Sequence, residues 1–324
     1  MRTFSTATHA LIDGVRYPDA LKRLYRRDDV EEIEPLYLAT RWSDLAEHGP
    51  IVVKLKRQGL LSEANDSQDN TLYRALSFIN SQADTGQLSR HFRRFITFKG
   101  AAGQEQLLRF ADPLVTRLWL ESYAGALLPS LMGPITTWWV AHWSPNWREQ
   151  RTFSWQAFQR SDDSSSGNAR VVSNSAQAPD FLPMAHAQYD ALEAVAHWQL
   201  KERLTDYFNE HARTAWHALP AQYRGQWLDA QLAQAKAWGA NTHRQLAIWV
   251  DLSLHWGNDF SIASDGLYHR WREHAADGAH LSAQEQLYAM DRWSRTPAAD
   301  SVPSTSHHTV ATQTPPINNE AAHG

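Results

Sequence analysis

Cysteine is absent from this 324-residue chain, which excludes a disulfide framework, thiolate zinc sites, cysteine nucleophiles and thiol redox chemistry. Nothing in the composition calls for an oxidising compartment. Long apolar runs are missing as well. The most apolar stretch, residues 124–143, is interrupted by Pro129, Gly133 and Pro134, so no membrane span is expected. The first ten residues carry a single basic side chain, Arg2, with no apolar run behind it. That does not fit a secretory signal, and the expected location is the cytoplasm.

Charge of one sign is also lacking. The net formal charge is −4; residues 1–150 carry 18 Lys and Arg against 17 Asp and Glu, and residues 151–324 carry 13 against 18. Basic clusters occur at Lys22, Arg23, Arg26 and Arg27 and again at Arg90, Arg93 and Arg94, but Asp28, Asp29, Glu31, Glu32 and Glu34 follow the first. Such clusters read as solvated helix faces, and no nucleic-acid partner is expected. A binder using Arg90, Arg93 and Arg94 is the weakest alternative.

The catalytic and cofactor signatures are absent in turn. No Gly-x-Ser-x-Gly elbow, no Gly-x-x-x-x-Gly-Lys-Ser/Thr loop and no Gly-x-Gly-x-x-Gly run occurs. Sixteen histidines invite a metal reading, nine of them between His186 and His280, yet no two stand four apart and no His-Glu-x-x-His is present. No catalytic residue, cofactor or metal site is therefore assigned.

What is present reads as an α+β chain: an N-terminal mixed α/β lobe with a small sheet, an all-α C-terminal lobe and a disordered tail. In the first lobe, His9–Asp13 reads as a strand closed by Gly14, and Pro18 opens a helix through Tyr25. Residues 35–38 and 50–55 read as two more strands, 92–98 with 106–110 as a hairpin across a glycine-bearing loop, and 114–124 as a helix. The Ser-rich stretch 161–180 has little to bury and reads as a linker, which places the N-terminal domain at 1–160 and the helical lobe at 181–295. Within that lobe, apolar residues from Tyr189 to Phe208 predict one long helix ending near Pro220, and a second is stopped by Gly239. Thr242 with Gln245 and Ser282 with Glu285 form capping boxes for two more, in a lobe of four to five helices. Residues 296–324, polar and proline-bearing, form the tail.

Two features carry functional weight. Asp13 and Asp112 both close predicted strands, as does Arg109, so a hydrolase built on strand-end carboxylates is one reading; turn capping by Asp13 and an internal ion pair for Arg109 is the plainer one. Tryptophan is the second feature. Fifteen are present, Trp42 is the only one before Trp119, and Trp138, Trp139, Trp143, Trp147 and Trp155 crowd the segment before the linker. Large aromatic side chains serve cores and interface anchors alike. Trp138, Trp139, Trp143 and Trp147, with Trp227, Trp238 and Trp249 of the helical lobe, are the candidate partner-binding residues.

Several short motifs then appear in order: Ala10-Leu-Ile-Asp13-Gly14-Val-Arg-Tyr17-Pro18, Glu34-Pro35-Leu-Tyr-Leu38, Leu45-Ala-Glu-His-Gly49-Pro50, Leu107-Leu-Arg109-Phe-Ala-Asp112-Pro113 and Met132-Gly133-Pro134-Ile135 with a Trp pair behind it. Over about residues 9–140 this succession resembles a bacterial family first catalogued as a domain of unknown function, whose members look like adaptor chaperones of the type VI secretion system. Ala237-Trp-Gly239 and Leu254-His-Trp-Gly-Asn-Asp-Phe260 are similar to the family's variable C-terminal half. The family's strand-end motif usually reads Arg-Phe-Tyr-Asp-Pro-Arg, where this chain has Ala111 and Leu114. The resemblance implies a cytoplasmic, non-enzymatic protein whose partners are a secreted effector and the type VI spike protein, with no nucleic acid and no membrane.

Overall fold

The computed structural model describes residues 6–66, 71–100, 102–123, 129–160, 184–275 and 278–300. The chain divides into two compact units, 1–202 and 203–324. Stretch 161–180 and residues 301–324 of the tail lie outside the described residues.

The first unit is built on β1 (His9–Asp13), α1 (Ala20–Leu24), β2 (Val30–Pro35), β3 (Pro50–Leu55), α2 (Gly59–Asn65), β4 (Leu76–Ser81), α3 (Thr85–Arg93), β5 (Thr97–Lys99), β6 (Glu105–Leu107), α4 (Pro113–Glu121), α5 (Pro129–Met132), β7 (Ile135–Trp143) and β8 (Phe153–Gln159). Six strands form one antiparallel sheet in the order β2-β3-β1-β4-β7-β8, and β5 with β6 forms a separate hairpin. All five residues of β1 are buried because it runs through the middle with both faces covered. Leu11, Val52 and Ile79 face a core completed by Leu88 and Phe92 of α3, Trp119 of α4 and Trp138 of β7. Ala10, Ile12, Ile51, Val53 and Phe78 face a second core closed by Ala20 and Leu24 of α1 and by Leu60, Leu61 and Ala64 of α2. Period-two alternation thus feeds two cores from one sheet.

The expected strand at residues 35–38 is a turn. The strand lies one segment earlier, at β2, where Glu31, Glu32 and Glu34 are tolerated because, among the described residues, β2 is an edge paired only with β3. The first half of the expected hairpin strand is also different: Phe92 lies in the last turn of helix α3, whose start is fixed by a capping box between Asp84 and Gln87. The hairpin itself is the short pair β5 and β6. Of the tryptophan-rich segment, Trp138, Trp139 and Trp143 lie on β7 and Trp155 on β8, with Trp147 in the connection; the two strands are an antiparallel pair in register from Thr137 opposite Gln159 to Trp143 opposite Phe153. Thr, Val and Trp suit a pleated, half-buried surface. Trp138, Val140 and Trp143 lie inside, and the Trp138 indole Nε1 donates to Ser77 Oγ at 2.8 Å in the core.

Helix α6 (His186–His211) begins in the first unit, and the division between the units falls within it. The second unit continues with α7 (Arg213–Ala218), α8 (Ala221–Trp238), α9 (His243–Trp256), α10 (Leu267–His274), α11 (Ala283–Ser294) and α12 (Pro297–Asp300). The single helix expected up to Pro220 is two, because Ala212 leaves helical geometry at φ −134° and the chain turns to lay Trp216 on Phe208, ring centroids 5.4 Å apart. Helices α8, α9 and α11 form as expected, with Gly239 at the left-handed C-cap of α8 and both capping boxes in place. Helices α10 and α12 bring the lobe past the four to five helices expected, and α12 lies in the stretch read as tail. Among the described residues no helix is long and apolar enough to cross a membrane.

Candidate functional site

Four of the sequence motifs meet at one end of the sheet in the first unit. Asp13 is the last residue of β1 and stands opposite Pro50, the first of β3. The chain turns sharply there, and Asp13 Oδ1 accepts from the backbone N–H of Val15 and of Arg16 at 2.9 and 3.0 Å. Gly14 then lies flat against the 47–49 loop and donates to Gly49 O at 3.0 Å. A Cβ at position 14 would sit 2.4 Å from Glu47 O, and one at position 49 would sit 2.5 Å from the Tyr37 ring. Both motif glycines are therefore set by close approach of backbone and ring.

Arg109 reaches the same point from the other side. Its Nη2 donates to both carboxylate oxygens of Asp13 at 2.9 Å and lies 3.7 Å from Asp112 Oδ2. Asp112 caps α4, accepting at Oδ1 from Leu114 N at 3.1 Å, with Pro113 in the first turn. Its Oδ2 pairs with Arg16 Nε at 2.8 Å. Two carboxylates and two guanidiniums thus form a closed network of zero net charge. Burial pushes the Asp112 carboxyl above its usual range against the pull of Arg16. Burial disfavours the Arg109 charge, but Asp13 and Asp112 together more than offset it and hold Arg109 above its ordinary value. The Tyr37 hydroxyl is raised by burial, with Asp13 adding to the effect.

Above this network opens a pocket of about 140 Å³, lined on its floor by Asp13 and Arg109 and on its walls by Tyr37, Pro50 and Ala111. Its exposed lining combines three aliphatic side chains, Val15, Leu45 and Leu107, at 52%, 41% and 38%, with the exposed imidazole of His48. Outside the pocket, Arg41 of the loop after β2 pairs with Glu105 of β6. Asp112 is fully buried and does not line the pocket. The carboxylates of the hydrolase reading therefore meet through Arg109 rather than across a solvent cavity, which is not the layout of an acid–base pair acting on a bound substrate.

The remaining motif residues serve the surroundings. Tyr17 is buried beneath the Arg23 guanidinium, 3.9 Å from the ring centroid, and Pro18 precedes α1. Pro35 ends β2. Gly133, at φ +53°, packs on His91, and Pro134 O accepts from Ser81 Oγ at 2.8 Å. Arg93 is held by Glu34 at 2.6 Å and donates to Leu36 O, so one member of the basic cluster is spent inside the unit. No group of three or more His, Cys, Asp or Glu able to hold a metal ion occurs among the described residues.

Of the tryptophans, Trp138, Trp143, Trp147 and Trp249 are buried, whereas Trp139, Trp227 and Trp238 are half-buried. Trp227 Nε1 donates to Asn258 Oδ1 at 2.7 Å and Trp238 Nε1 to Ala283 O at 3.0 Å, inside the helical unit. The rim residues Val15, Leu45 and Leu107 stood inside the quoted motifs, but nothing in their spacing marks them as exposed.

Comparison with known proteins agrees on the N-terminal region. The profile of a domain of unknown function (DUF4123) matches residues 8–126, the segment from β1 to just past α4. No curated protein and no solved structure matches the chain.

Proposed function

We propose that this protein is an adaptor chaperone that binds a secreted effector and helps load it onto the spike of a bacterial type VI secretion system, working by surface burial and without a reaction of its own. The observation that carries the reading is the convergence of Asp13, Pro50 and Arg109, beside the close-packed turn of Gly14 and Gly49, on a small pocket lined by exposed aliphatic side chains. Contiguous exposed aliphatic groups around a polar floor are what a protein-binding surface offers. The order of the N-terminal motifs, which resembles that of the adaptor family, supports the same reading, and the profile of the domain of unknown function covers that same region, 8–126. We assign the spike to the N-terminal unit and the effector to the helical unit, because cargo varies more than spikes do.

The test is co-expression with a type VI spike protein and an effector from the same genome, followed by size-exclusion chromatography. Co-elution is the expected result. Separate elution at both low and moderate salt overturns the proposal.

A further inference from the structure

We infer that the pocket over Asp13 and Arg109 takes one large apolar side chain of a partner polypeptide, a leucine-sized anchor, whose own backbone carbonyl accepts a hydrogen bond from Arg109. The inference rests on the adaptor reading for the partner's being a protein, and it adds what that partner must present.

Size decides the class of occupant. Pockets that hold cofactors or small-molecule substrates run from about 300 to 1,000 Å³. At about 140 Å³ this one is too small for them and suits a single side chain. The walls and rim supply the apolar contact, through Val15, Leu45, Leu107, Pro50 and Ala111. A rim of exposed aliphatics around a recess that fits one residue is the geometry of an interface anchor point, where a few well-packed side chains dominate affinity.

Charge decides what accompanies that side chain. Arg109 is half-exposed and, among the described residues, all its contacts run through Nη2, so Nε and Nη1 keep unspent donors beside the pocket. The floor is neutral overall, with the Asp13 carboxylate and the exposed His48 imidazole lining the same space. A ligand carboxylate would meet that carboxylate, and a ligand cation would meet Arg109. An uncharged acceptor satisfies the guanidinium without either penalty, and a peptide carbonyl next to the anchor side chain is one.

The probe is N-acetyl-leucine N-methylamide, which carries one leucyl side chain between two carbonyls, with the alanine analogue and N-acetyl-aspartate as controls. Methyl NMR of the full chain reads the Val15, Leu45 and Leu107 resonances while each compound is titrated to tens of millimolar. The leucine compound is expected to shift these three at least several-fold more than either control and to leave the exposed Ile262 methyls of the helical unit in place. Equal shifts from the leucine and alanine compounds, or none, overturn the inference. In a second arm Leu45→Asp, with unchanged circular dichroism and melting temperature, is co-expressed with the same spike protein and is expected to weaken co-elution at least tenfold. If the wild-type complex forms and L45D retains it in full, the pocket inference falls while the adaptor reading stands. If the wild type forms no complex with spike or effector, the adaptor reading falls and the NMR arm alone decides the pocket.

Discussion

His91 offers a quantitative check on the packing of the first unit. Its ring is buried between Phe95, edge-on at 5.0 Å, and Gly133, and its Nε2 donates to Leu131 O at 2.9 Å. Burial is the main reason that its pKa falls from 6.5 to about 4, with Arg94 adding to the effect and the Leu131 bond opposing it. The folded state therefore keeps His91 neutral, while the unfolded chain takes up a proton below about pH 6.5. The sign follows: the contribution is fully present above pH 6.5 and is lost as pH falls through the folded value. A separation of about 2.5 units gives a linkage of roughly 2 kcal/mol by pH 5 and about 3 kcal/mol by pH 4. His91→Gln keeps a side-chain N–H in place of Nε2–H and cannot titrate. Urea unfolding followed by tryptophan fluorescence at intervals from pH 8 to pH 4 should show wild type losing that much stability relative to the variant. His9 and His142, whose pKa values are also lowered by burial, titrate in both proteins and cancel in the difference. A wild-type-minus-variant difference that stays flat over this range would refute the reasoning.

Further consequences can be measured on the same protein. Ser77→Ala removes the acceptor of the buried Trp138 indole N–H and should cost about 1–3 kcal/mol in urea unfolding; Ser77→Thr should recover part of it, and equal stability of S77A and wild type would show that the bond contributes nothing. Gly133→Ala forces a side chain at φ +53° with its Cβ 2.3 Å from His91 Cε1, so a loss on the order of 2 kcal/mol is expected, read as a lowered Tm. Arg109→Gln leaves Asp13 buried without its ion partner. Because Arg109 is itself half-exposed, the expected loss is about 1–2 kcal/mol rather than that of a sealed pair, and Asp13→Asn in the R109Q background should restore some of it. A double-mutant cycle with no coupling between positions 13 and 109 would contradict the geometry.

Legibility in the sequence followed how local each signal was. β1 and β3 were readable because each is a short apolar run with Gly or Pro at an end, and the caps at Thr242 and Ser282 and the stop at Gly239 fixed three helices. β2 was missed because its buried requirement is small and its glutamates hide it. β7 and β8 were missed because the adjacent pairs Trp138-Trp139 and His142-Trp143 break the alternation a strand would show, and the strand that β7 pairs with, β4, lies some sixty residues away. Asp13 and Arg109 were both singled out, one as a turn cap and the other as a member of an internal ion pair, but nothing local to either names the other as its partner. That Asp112 would be sealed behind the same arginine, and that three aliphatic side chains would be left facing solvent around it, depends on how the 36–49 loop folds back, which no window of sequence contains.

The strand order has a consequence for what counts as one folding piece. The profile match stops at residue 126, yet the sheet goes on to Trp143 and Gln159 and is closed by strands that lie after that limit. A fragment cut at 126 would keep every motif that shapes the pocket and still strip β4 of its outer neighbour, leaving the Phe78 backbone without its partner Trp139 and Ser77 Oγ without the Trp138 indole. Such an open edge invites pairing between molecules. Heredity of the motifs and autonomy of the fold thus have different borders, and the smallest stretch able to carry the pocket as a monomer is longer than the stretch that identifies it.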